Sequence, residues 1–361
     1  MRVAFIVFSL RGGGAERMVS RLANSFVNKG IRVDIILLFD ANHIEYEIDR
    51  RIHIVDCSYL TIKWKTKKKV IQIYRIHKYI LEHRPDVIFS FILTTVPFSI
   101  LAKTGLGQYC KIIGSQRTNP KSIKWYYRLI ANPFFYACDG IIFQTKRVMD
   151  EYPAYIREKS TVIGNIAPRV LPRTDKEKNL VIQDAICAVG RLHSDKDWET
   201  LFLAFAQVLR FVPGASLHIY GKGPLEQDLR KLSLRLQISK RVVFEGFSKD
   251  VIEVMKKYEI FAFSSKAEGM PNALMEAMAA GLACVATDCD YGPSELIEDG
   301  KNGYLVPVGD ENKMAERLIY LLQHDETRKR MQMEARKISE RFSEERIVNA
   351  YLSYAQQVCM K

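Results

Sequence analysis

Twelve short apolar runs rich in β-branched residues, alternating with amphipathic stretches of helical length, constrain this chain of 361 residues more than any other feature. Six lie at residues 3–8, 33–38, 52–55, 87–91, 111–114 and 140–143, and six at 185–189, 216–220, 242–245, 260–263, 283–287 and 304–306. A strand covered on both faces reads as a continuous apolar run, and a parallel neighbour can be reached only through a long crossover, usually helical. The pattern predicts α/β architecture with parallel sheets. Residues 169–180, with Pro172 and a run of charges, interrupt it and read as a linker. Two doubly wound, Rossmann-like domains are expected, residues 1–170 and 171–342, facing each other across a cleft with ligands at the carboxyl ends of the strands.

Charge is spread unevenly between these halves. Residues 1–170 hold 27 Lys/Arg against 13 Asp/Glu, a net of +14, whereas residues 171–361 hold 27 against 28, a net of −1. Two clusters, residues 63–69 and 121–128, mix lysines with aromatic rings, a combination suited to anionic lipid head groups. Nucleic acid is the weaker candidate, because no helix-turn-helix, zinc-finger or RNA-recognition signature accompanies the charge. The seven cysteines show no metal-ligand spacing and read as thiols of a reducing compartment, with the cytoplasm as the default. The apolar run at residues 3–10 leads into glycines rather than a cleavage site and reads as a first strand. The longest uncharged run, residues 87–102, contains Pro97 and falls short of the roughly 20 residues that span a bilayer.

The segment at residues 264–281, S-S-K-A-E-G-M-P-N-A-L-M-E-A-M-A-A-G, sets Glu268 and Glu276 around a helix start. Pro271 suits the first helical position and Gly281 the left-handed residue that ends a helix. Glu268 then lies in the loop before the helix and Glu276 more than one turn inside it. The N–H groups of Gly269, Met270 and Asn272 point with the positive end of the helix dipole, where a diphosphate fits. A solvated glutamate pair on an ordinary packed helix is the alternative.

Further segments recur in order along the chain: G-G-G-A-E-R at 12–17, S-Q-R-T-N-P at 115–120, F-Q-T at 143–145, V-G-R-L-H-S-D-K at 189–196, I-Y-G-K-G-P-L at 219–225 and E-G-F-S-K-D-V at 245–251. With the Glu-x7-Glu segment, they make the chain resemble the retaining glycosyltransferases of family four, which have the two-domain GT-B fold. The likeness is greatest to members that build bacterial surface polysaccharides. The resemblance implies that residues 343–361 form a helix returning to the first domain. It also implies that Gly13 and Gly14 lie near the donor phosphate and the acceptor, and that Arg191 and Lys196 face a diphosphate. Fixed cations there stabilise the charge that develops on the departing phosphate. Glu276 is implied as the partner of the ribose hydroxyls, Glu268 as a contact of the transferred sugar, and the backbone near Phe247 and Ser248 as the reader of the base, most commonly uracil.

Two departures from the family pattern stand out: Asp197 where glycine is frequent, and Arg117 where many relatives carry histidine. A guanidinium cannot serve as a general base at neutral pH, so Arg117 is expected to position a hydroxyl or neutralise phosphate, or else to form a structural ion pair. Asp288 and Asp290 match an Asp-x-Asp metal pattern of another fold class but follow a strand of the second domain, and no metal is expected. His43, His53, His77, His83, His193, His218 and His324 form no ligand-like cluster in the sequence. Together these readings predict a metal-independent, retaining hexosyl- or N-acetylhexosaminyl-transferase. It would be peripheral on the inner face of the plasma membrane, moving a sugar from a UDP-linked donor to a polyprenyl-diphosphate-linked glycan. A transferase acting on a soluble acceptor, and an inert lipid- or nucleic-acid-binding protein, are the rivals.

Overall fold

A computed structural model describes the chain except for residues 12, 59–64, 108–109, 118–119, 121–132 and 361. The basic cluster at 121–128 therefore lies outside the described residues, as do Gly12, Lys63 and Trp64. The chain forms two compact units, Met1–Asn165 with Glu345–Lys361, and Ile166–Glu344. Among the described residues no helix is long and apolar enough to cross a membrane.

The first unit is built on a parallel sheet of seven strands, β1 Arg2–Leu10, β2 Arg32–Ile44, β3 His53–Asp56, β4 Val87–Phe91, β5 Lys111–Gln116, β6 Gly140–Phe143 and β7 Ser160–Val162. Their order is β3-β2-β1-β4-β5-β6-β7. All six strands expected from the apolar runs are present. Strand β7 was not expected, because three partly exposed residues at a sheet edge carry no burial pattern. The core centres on Phe5, Phe26, Phe89 and Phe91, all fully buried, with Phe5 and Phe89 stacked at 5.3 Å.

The second unit has six parallel strands, β8 Ala185–Val189, β9 Ser216–Tyr220, β10 Val242–Gly246, β11 Ile260–Phe263, β12 Ala283–Thr287 and β13 Tyr304–Val306. Their order is β10-β9-β8-β11-β12-β13. In both sheets the direction of winding reverses once, between β1 and β4 and between β8 and β11. At such a reversal the loops leaving two adjacent strands diverge and open a crevice. One face of the second sheet buries Leu201, Phe202, Phe205 and Leu318, and the other Phe261, Leu274, Met275 and Met278.

Two boundaries differ from the sequence reading. Residues 166–170 belong to the second unit, where Ala167 N–H donates to Phe342 O at 2.9 Å and Ser339 Oγ to Pro168 O at 2.9 Å. The supposed linker at 169–180 contains the helix Asp175–Lys178, closed by reciprocal bonds between Thr174 and Glu177. Lys256 Nζ, 3.1 Å from Glu177 Oε1, ties that helix to the second unit.

The final helix, Glu344–Met360, packs within the first unit. Tyr351 is fully buried beside Phe89 at 5.6 Å, and Tyr354 OH accepts from Ile141 N–H at 2.8 Å and donates to Lys159 O.

Candidate functional site

Sequence-distant charges meet where β8 and β11 end. The loop after β8 carries Arg191 and the short turn Ser194–Lys196, and the loop after β11 carries residues 264–271. Lys196 Nζ donates to Glu268 Oε1, and both side chains are largely shielded, at 16% and 14% exposure. Two bonds to backbone carbonyls sew the loops together: Ser264 Oγ donates to Lys196 O at 2.8 Å, and Lys266 N–H to Asp195 O at 2.9 Å. Lys196 therefore cannot swing freely. Its ammonium also lies 5.9 Å from the centroid of Phe263, the last residue of β11.

Asp195 is a functional candidate that the sequence reading missed. Its carboxylate accepts from Arg191 Nη2 at 3.3 Å, lies 2.9 Å from His193 Nδ1 and stands 3.8 Å from Lys196 Nζ. A single acidic residue thus holds both expected phosphate-binding cations in one place. The signal was present in R-L-H-S-D-K, but three side chains of a six-residue stretch converge on one carboxylate only because the turn Ser194–Lys196 curls them together.

Asp197 explains its own departure from glycine. It adopts the left-handed conformation, φ 47° and ψ 48°, in which Asp is one of the few tolerated side chains. Its buried carboxylate is held by Lys266 Nζ at 2.9 Å and by Thr200 Oγ1 at 2.8 Å, so the strained turn is fastened at both ends. The neighbouring backbone is equally tight. A Cβ on Gly221, after β9, would stand 1.8 Å from Gly190 O, so the I-Y-G-K-G loop packs main chain against the V-G-R loop.

The helix after the Glu268 loop runs Asn272–Ala280 and ends at Gly281, φ 79°, as expected. Its start is one residue later than expected. Pro271, φ −75° and ψ 110°, is extended and caps the helix from outside rather than forming its first turn. Met270 is buried, Gly269 partly so, and Asn272 is the first helical residue. Glu276, on the fifth residue of the helix, is only 7% exposed. Phe247 is exposed just beyond β10, after Gly246 at φ 77°, and Ser248 beside it is half-buried. Asp288 and Asp290 are exposed on either side of the buried Cys289, whose thiol burial pushes up to about 12.

The first unit holds the remaining expected residues. Gly13 caps the helix Gly14–Asn28, but its N–H donates to Tyr46 OH at 2.7 Å, and the same phenol donates back to Gly13 O at 2.9 Å. Tyr46 was not foreseen as a partner of the glycine loop. Arg117 is buried, with its guanidinium 4.9 Å from the Phe91 centroid, and donates to Tyr351 OH at 3.0 Å and to Asn165 Oδ1. Among the described residues its hydrogen-bond partners are neutral side chains of the first unit. It ties β5 to the last residue of this unit's first segment and to its final helix.

Two family models match the chain, Glycosyltransferase Family 4 over residues 12–167 and Glycosyl transferases group 1 over residues 173–338, which together take in every strand of the two sheets except β1. The chain belongs to the family-four glycosyltransferases. Over 98% of its length it is 26% identical to a Campylobacter jejuni N-acetylgalactosamine-N,N'-diacetylbacillosaminyl-diphospho-undecaprenol 4-alpha-N-acetylgalactosaminyltransferase, of which 99% is covered. A second C. jejuni enzyme, a GalNAc-alpha-(1->4)-GalNAc-alpha-(1->3)-diNAcBac-PP-undecaprenol alpha-1,4-N-acetyl-D-galactosaminyltransferase, is 25% identical over 99% of both chains. Among solved structures, Anabaena HepE in complex with UDP superposes with a TM-score of 0.82 at 18% identity, covering 99% of this chain and 100% of that one. The fold of this glycosyltransferase is GT-B.

Proposed function

We propose that this glycosyltransferase moves a sugar from a UDP-linked donor, with retention of the anomeric configuration and without a metal, onto a glycan carried by a polyprenyl diphosphate. The observation that carries the donor side is the Lys196–Glu268 pair at the winding reversal of the second sheet, with Arg191 gathered beside it through Asp195. In this reading Arg191 and Lys196 hold the diphosphate and stabilise charge as the sugar leaves. Glu268 contacts the transferred sugar, Glu276 the ribose, the backbone at Gly269, Met270 and Asn272 the phosphates, and the segment at Phe247 and Ser248 the base.

The bond from the anomeric carbon to the donor phosphate breaks, the bond to the acceptor oxygen forms on the same face, and the acceptor proton passes to the departing phosphate oxygen. No protein nucleophile is required. UDP is carried over from the Anabaena complex, and the lipid-linked acceptor from the two C. jejuni relatives. An acceptor with a polyprenyl tail stays in the bilayer, and in this reading the enzyme works on it as a peripheral protein at the inner face of the plasma membrane.

The test is transfer from a panel of nucleotide sugars to a synthetic polyprenyl-diphosphate glycan, with the product anomer read by NMR. Retained configuration from a UDP-sugar is expected. An inverted product would overturn the mechanism, and transfer to soluble glycans alone would overturn the acceptor. Neither transfer nor donor hydrolysis with any nucleotide sugar would leave a binding protein.

A further inference from the structure

We propose that His43, turned outward by the buried carboxylate of Asp40, holds a hydroxyl of the acceptor's terminal sugar and so determines which acceptor this transferase takes. The cluster lies in the first unit, where β1 and β2 end. Asp40 stands opposite Ser9 and Ile44 opposite Leu10, so residues 41–43 are extra in β2. A bulge re-aims side chains, and this one sets His43 beside Asp40. The Asp40 side chain is 1% exposed and that of His43 is 68% exposed. Asp40 Oδ1 accepts from Asn42 N–H at 2.9 Å. Its Oδ2 lies 2.9 Å from His43 Nδ1 and accepts from Arg11, the first residue after β1.

Those contacts assign the proton of the ring. A ring nitrogen 2.9 Å from a carboxylate oxygen carries the hydrogen, so Nδ1 donates to Asp40, and Arg11 Nη2, 3.0 Å from Nδ1, shares the same oxygen. In the neutral imidazole Nε2 then keeps its lone pair and presents it outward as an acceptor.

Charge and place select the ligand. The Arg11 guanidinium neutralises the buried carboxylate, which leaves no surplus charge for a phosphate and already occupies the oxygen a metal ion would need. A neutral hydroxyl donating to Nε2 fits. Ligands of open α/β sheets bind beyond the carboxyl ends of the strands, and there Tyr46, three residues after His43, bonds the N–H and the carbonyl of Gly13. The donor contacts proposed above are all carried by the second unit, which leaves the acceptor to the first.

The inference rests on the transferase reading, and its test separates the two. Initial rates are measured with the purified chain, a UDP-sugar and a synthetic polyprenyl-diphosphate glycan, with the acceptor varied. His43→Ala should raise the acceptor KM about fivefold to tenfold with little change in kcat, as loss of one binding hydrogen bond does. His43→Gln, whose amide oxygen still accepts, should recover most of that loss. UDP affinity, read by isothermal titration, should stay at the wild-type value in both. Among acceptors that each lack one hydroxyl of the terminal sugar, one should lose the same factor with the wild type and nothing further with His43→Ala. An unchanged acceptor KM in His43→Ala, or losses from every missing hydroxyl that are equal in wild type and variant, would overturn the inference and leave the transferase reading standing. Weakened UDP binding in the variants would overturn it in favour of a donor role. A wild-type chain that hydrolyses a UDP-sugar yet transfers to no glycan would overturn both.

Discussion

At the scale of single residues, the proposed donor side rests on two cations, Arg191 and Lys196, that stand beside Asp195. Arg191→Ala and Lys196→Ala should each lower turnover by about 10² or more while circular dichroism stays unchanged, since each removes a donor aimed at developing phosphate charge. Near-normal turnover in both would take them out of the site. Glu276→Ala should chiefly weaken UDP binding and Glu268→Ala chiefly impair transfer. Asp195 offers a sharper test, because it holds Arg191 and stands near Lys196 without itself favouring an anionic ligand. Asp195→Asn should lower turnover about tenfold while UDP binds at least as tightly, as loss of a negative charge helps the diphosphate even though the cations lose their common acceptor. Isothermal titration beside steady-state kinetics reads both. Weaker UDP binding with unchanged turnover would remove Asp195 from this role.

Among the elements, Arg117, the residue after β5, reaches the final helix. Arg117 bonds Tyr351 on that helix and Asn165 at the end of the unit's first segment. Arg117→Ala would take from the buried Tyr351 hydroxyl the donor it accepts from, which costs about 1–3 kcal/mol, while Asn165 Oδ1 keeps its bond from Gln144 Nε2. A lower urea midpoint is therefore expected, with donor hydrolysis per folded molecule unchanged. A large loss of turnover at full stability would return Arg117 to the chemistry. The sequence marked Arg117 as unusual, but its two partners lie 48 and 234 positions away, beyond any local pattern. Gly281 is the contrary case. A left-handed helix end is a local event, and it was legible from the glycine alone.

For the whole molecule, burial sets the behaviour of its thiols. Cys359 is exposed and the other six cysteines are buried. Burial pushes Cys110 and Cys138 up to about 12. One thiol per native chain should react with a maleimide, and all seven after denaturation. A raised acid pKa means that between the ordinary thiol value of about 8.5 and the folded value the unfolded chain releases protons the folded chain keeps, so stability falls as pH rises through that window. Urea midpoints measured from pH 8 upward check the sign. Excess EDTA should leave turnover intact if Arg191 and Lys196 supply the charge a metal would bring, and loss restored by Mn²⁺ or Mg²⁺ would revive Asp288 and Asp290. UDP at 100 times its dissociation constant should add about 2.7 kcal/mol of stability, read as a higher melting temperature.

The twelve expected strands and the helix after the Glu268 loop were settled by sequence alone, because burial in a parallel sheet and the ends of a helix leave local marks of composition and spacing. Strand order is not local. Only the tertiary structure put β8 beside β11 and so brought Lys196 to Glu268 across 72 residues, curled Arg191 and His193 onto Asp195, set Tyr46 against Gly13 and turned Arg117 inward. Each of these contacts joins side chains carried on separate loops or elements, or on a turn whose curl no pattern of residues records. Their geometry is fixed by how whole strands and helices pack.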